Sequence, residues 1–93
     1  MNLIEPKFSI GKIYATAGVA AWAEDHRIDL TRYLRLHHCG EWGELEEEDK
    51  QANEDALKFG ARILSAYRVG ERKIWVITEA DRSHTTMLFP SEY

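Results

Sequence analysis

The hydrophobic period changes at Gly60. Ahead of it, apolar residues recur three and four apart; behind it, they follow a period of two. Helices have the first spacing and strands the second. The chain therefore reads as an α+β domain, with three N-terminal helices followed by a three-stranded antiparallel β-meander. With 93 residues there is room for one domain only, residues 1–93. A chain of this size buries roughly 60–65% of its unfolded surface, so its stability margin is small.

Met1 to Gly11 reads as a flexible arm, with Pro6 blocking a long helix. Gly11-Lys12-Ile13-Tyr14-Ala15 reads as a short strand. Thr16 is an N-cap candidate for a helix over Ala17 to His26, with Val19, Trp22, Ala23 and His26 on one face. Asp29 caps a second helix, Leu30 to Cys39, whose stripe is Leu30, Tyr33, Leu34 and His37; Gly40 stops it. A third helix, Glu46 to Phe59, opens with acids that suit the positive end of its dipole. Ala52, Ala56 and Phe59 make its apolar seam, and Gly60 ends it.

The strands are expected over Arg62 to Val69, Lys73 to Glu79 and Thr85 to Phe89. Gly70-Glu71-Arg72 makes the first turn and Asp81-Arg82-Ser83-His84 the second. Apolar residues fall on both faces of this sheet. One face must pack on the helices. Tyr67, Trp75 and Ile77 are the candidates for a second face, either covered or left as a sheet-face or dimer interface.

Charge is polarised along the chain. The net charge is −4, yet Glu41 to Asp55 holds eight acids against Lys50 alone, and the remainder is net basic. A nucleic-acid binder usually carries a basic stripe; direct nucleic-acid binding is disfavoured, although Arg62, Arg68, Arg72 and Lys73 gather around the first hairpin. The acidic stretch is either a solvated helix face, a docking surface for a basic protein, or an imitation of a phosphate track. Its candidate partner-binding residues are Glu41, Trp42, Glu44, Glu46, Glu47, Glu48 and Asp49. Trp42, between Gly40 and Gly43, is either a core plug or an exposed anchor.

One cysteine, Cys39, permits no intrachain disulfide. No run reaches the roughly 18 apolar residues of a membrane span. Ile13 to Ala23 imitates a secretory signal, with Ala21-Trp22-Ala23 as a cleavage site. Tyr14, Thr16 and Gly18 weaken it, and Glu5 and Pro6 lie upstream. The cytoplasm is the expected location.

Several strings run nearly the length of the chain: Gly40-Glu41-Trp42-Gly43, Glu47-Glu48-Asp49-Lys50 with Asn53, Arg62 to Tyr67, Ile74 to Ser83, Thr85-Thr86 and Pro90-Ser91-Glu92-Tyr93. Together they resemble a group of small uncharacterised bacterial proteins labelled plasmid-related or hypothetical. The resemblance covers Gly11 to Tyr93, and Ile74 to Ser83 is its longest block. It departs at His38-Cys39 and at Leu36, where those proteins often have arginine. It implies an origin on bacterial mobile DNA, and no activity, cofactor or catalytic residue.

The strings that imitate chemistry are weak. In His37-His38-Cys39, successive side chains diverge by about 100°, too far to share one ion. Asp81-Arg82-Ser83-His84 has the letters of a hydrolytic triad, but triads assemble from distant segments. No phosphate-cradling glycine loop follows a strand. No metal and no cofactor are expected. The chain reads as a non-enzymatic protein-binding accessory factor, for instance an inhibitor of a restriction or CRISPR-type host nuclease. The alternatives are a homodimer joined through the sheet and a small enzyme of unknown chemistry.

Overall fold

The computed structural model describes residues 5–93. The first helix, α1 (Ala17–His26), starts where Thr16 Oγ1 accepts the Val19 amide at 3.1 Å. It ends at Arg27, in the left-handed conformation with φ 57°. Asp29 opens α2 (Leu30–His38) by accepting the Thr31 amide at 3.1 Å. After the acidic loop comes α3 (Glu47–Phe59), closed by Gly60.

The sheet corrects the expected three-stranded antiparallel meander. The described residues form four strands, β1 (Lys12–Ala15), β2 (Ile63–Val69), β3 (Arg72–Thr78) and β4 (His84–Leu88), in the order β1-β4-β3-β2. The β2–β3 and β3–β4 pairs are antiparallel, while β1 lies parallel to β4, with Tyr14 opposite Thr86. The sheet is therefore mixed. Periodicity marks a strand without naming its neighbour, so nothing in the local pattern joins residue 14 to residue 86.

The register assigns the faces. Tyr67 pairs with Ile74 and Ser65 with Val76, so these four share one face. There Tyr67, Ile74, Val76 and Met87 meet Val19 of α1, with Leu30, Tyr33 and Leu34 of α2 packed alongside. Ala66 pairs with Trp75 and Leu64 with Ile77, which places them on the opposite face. A second apolar cluster, Trp42, Ala56 and Ile63, fastens α3 beside β2.

Two further expectations change. The buried positions of α3 are Asn53 and Ala56, whereas Phe59 is 82% exposed. Asn53 turns inward because its amide bonds the strand backbone, and a polar residue does not enter an apolar seam drawn from sequence. The arm is tied down from Lys7, whose amide donates to the His38 carbonyl at 2.9 Å, and Phe8 stacks edge-on against His37. The part of the arm before residue 5 lies outside the described residues. Among the described residues, no helix is long and apolar enough to cross a membrane.

Candidate functional site

The sheet face away from α1 and α2 is only partly covered. Beside it a cleft of about 590 Å3 opens between α3 and the strands. Leu64, Ala66 and Trp75 form the floor, Glu44, Glu46 and Asp49 the acidic wall, and Arg62, Lys73 and Pro90 the far side. The C-terminal turn closes one end: Tyr93 meets Trp75 edge-on at 5.6 Å, and the Arg62 guanidinium lies 5.5 Å from the Tyr93 ring centre. Half-buried aromatic surface thus sits beside carboxylates.

The acidic stretch divides into parts with different roles. Glu44 bridges Arg68 at 3.4 Å and Lys73 at 3.7 Å. Glu47 pairs with Lys50, one turn along the helix, at 3.6 Å. Glu46 and Asp49 face the cleft with no ion partner among the described residues. Glu41 and Glu48 are exposed and do not line it.

Trp42 is 5% exposed and is a core residue rather than an anchor for a partner. Its indole N–H donates to Glu54 at 3.0 Å, and its carbonyl accepts the Ala66 amide at 3.0 Å. Gly43 makes this path available. At φ 80° a Cβ there would meet the Ala66 carbonyl oxygen at 1.9 Å.

The three sheet residues do not form one patch. Tyr67 lies opposite Trp75 and Ile77, on the helix-covered face, because residues 66 and 75 are cross-strand neighbours. Its hydroxyl donates to the Glu41 carbonyl, and burial pushes that hydroxyl above its ordinary pKa. Ile77 is 4% exposed, so Trp75 alone of the three reaches the cleft.

A buried polar chain accounts for His37. The Ile10 carbonyl only accepts, so Thr85 donates to it at 2.8 Å. Thr85 then accepts from Thr78 at 2.6 Å, and Thr78 accepts from His37 Nε2 at 2.9 Å. Burial, with the neighbouring His38 second, lowers the His37 pKa from 6.5 to about 3, so the ring is neutral near pH 7. Nδ1 is then the lone-pair nitrogen, and Ser65 donates to it at 2.6 Å. Ser65 and His37 stand at the separation of a nucleophile and its base, yet both are fully buried, out of reach of any substrate in this conformation. Both ring nitrogens are occupied, which also removes His37 from any metal role with His38 and Cys39.

The Asp81 turn is held by its own backbone. Asp81 Oδ1 accepts the Ser83 amide at 2.9 Å, and hydrogen bonding from Ser83 holds that carboxyl below the usual carboxylate range. Ser83 Oγ lies 3.0 Å from His84 Nδ1, but no hydrogen bond among the described residues puts Asp81 behind the imidazole. Arg82 reaches the end of the acidic helix rather than its carboxylates, donating to the carbonyls of Ala56 at 3.0 Å and Ala61 at 2.7 Å. Among the described residues, no group of three or more His, Cys, Asp or Glu side chains is placed to hold a metal ion. Comparisons with protein-family models, curated proteins and solved structures returned no match.

Proposed function

We propose that this chain is a non-enzymatic, cytoplasmic binding protein that takes a basic segment of another protein into the cleft between α3 and the open sheet face. The observation that carries the reading is the convergence of Glu46 and Asp49, neither with an ion partner among the described residues, on the half-buried Trp75. An aromatic platform supplies desolvated contact area, and adjacent carboxylates select a basic partner and speed its approach. Lys73 does not oppose this, since Glu44 already pairs with it. A partner that itself binds nucleic acid, such as a restriction or CRISPR-type nuclease, presents the right charge. The resemblance to proteins of bacterial mobile DNA favours that class.

The test is a pull-down from a nuclease-treated bacterial lysate with the wild type and with a Glu46→Lys/Asp49→Lys variant. A Glu24→Lys/Asp25→Lys variant on α1 serves as the control. The partner is expected to be recovered by the wild type and the control and lost by the cleft variant. Its affinity for the purified wild type should fall as salt rises. Equal recovery of every bound protein by the cleft variant would falsify this reading.

A further inference from the structure

The two edges of this sheet are treated differently. The outer edge of β2 is closed by the chain itself. Asn53 accepts the Leu64 amide at 3.1 Å and donates to the Leu64 carbonyl at 2.7 Å. Two residues on, the Ala66 amide donates to Trp42 and the Ala66 carbonyl accepts from Glu44. Among the described residues, the outer edge of β1 has no such cover. All four residues of β1 are exposed, Ile13 at 43% and Tyr14 at 51%. An open strand edge bearing apolar side chains is a template for pairing with another strand.

The orientation of that edge follows from its bonds to β4. The amides of Lys12 and Thr16 donate inward, to Ser83 and Met87. Alternation along the strand therefore turns the amides and carbonyls of Ile13 and Ala15 outward. A second β1 laid antiparallel about a two-fold axis at Tyr14 sets Ile13 against Ala15 of the other copy, and each such pair exchanges both its hydrogen bonds. The same register sets Lys12 against Thr16 of the other copy. Thr16 Oγ1 holds the Glu92 carboxylate at 2.8 Å, and Glu92 is exposed. Neither Lys12 nor Glu92 has an ion partner among the described residues. One register thus makes backbone bonds, a tyrosine pair and two symmetric lysine–glutamate contacts.

We propose that the open edge of β1 is where a second copy of this chain adds, forming a two-fold dimer with one continuous sheet. Among its described residues, each copy has one open edge. Self-pairing uses both, leaves only the closed β2 edges outside, and stops at two chains rather than growing into a fibre. No residue of this contact lines the cleft, and the proposal stands whether or not the cleft binds a protein.

The test is solution mass by sedimentation, together with disulfide trapping. The wild type is expected at the mass of two chains. Ile13→Pro removes an outward amide and no inward one, and should give single chains. Lys12→Glu should weaken the dimer about tenfold at low salt, with the difference shrinking at high salt. Oxidised Tyr14→Cys should run as a covalent dimer, because the close pair at the axis suits a disulfide, while Lys58→Cys should not. A wild type at the mass of one chain at every concentration overturns the proposal. A two-chain mass with no Tyr14→Cys cross-link overturns it equally.

Discussion

His37 is a histidine that the fold uses as a neutral hydrogen-bonding wedge between Ser65 and Thr78. The sign of the resulting pH dependence is fixed. In the unfolded chain the ring binds a proton below its ordinary pKa of 6.5; in the folded chain it does so only near 3. Between those values the unfolded state holds more protons, so the stabilisation is complete above pH 6.5 and drains away as pH falls toward 3. From pH 7 to pH 5 the loss from this residue is about 2 kcal/mol. His37→Gln keeps one donor and one acceptor and has no proton to gain. It should be less stable than the wild type at pH 7, with the gap closing by about 2 kcal/mol at pH 5 in urea unfolding. A gap that stays constant would reject the account. The packing of His37 was legible from its place on the stripe of Leu30, Tyr33 and Leu34. Its partners were not, because Ser65, Thr78 and Thr85 come from three strands and meet only once the register is set.

The edge of β2 shows what an element needs beyond its own pattern. Alternation locates the strand, yet an edge strand lives by what covers its spare amides and carbonyls. Here α3 contributes Asn53 and the acidic loop contributes the backbone of Trp42 and Glu44. Asn53→Ala deletes two bonds and leaves the Leu64 amide and carbonyl without protein partners, at a cost of about 2 kcal/mol. Hydrogen exchange gives the sharper readout. Protection of the Leu64 amide should fall while that of Ala66, held by Trp42, persists. If both fall together, the loop and the helix form one unit and the division drawn here between them is wrong. The same residue explains why the inward side of α3 differs from the apolar seam its sequence suggests. The helix was visible in its acid-rich start and its Gly60 stop, but its inward side is built on an asparagine, while Phe59 faces solvent.

At the scale of the whole molecule, the chain closes on itself through β1. The three antiparallel strands are joined by short turns, so their contacts are local and form cheaply. The parallel β1–β4 contact requires the ends of the domain to meet, with all three helices in between. Such a contact rewards the chain only after the loop entropy has been spent, which places it late in folding. Gly11 is the position at which to test the order of events. Its φ is 61°, and a Cβ there would sit 2.2 Å from the Ser83 carbonyl oxygen, next to the first bond between β1 and β4. Gly11→Ala should therefore destabilise the fold by about 2 kcal/mol. Since the interactions it breaks form after the transition state, the loss should appear as roughly thirtyfold faster unfolding, with the refolding rate almost unchanged. Stopped-flow kinetics across a urea series separates the two limbs. A slowed refolding limb would instead make β1 part of the folding nucleus, and would mean that the helices bring the two ends together before the hairpins are complete.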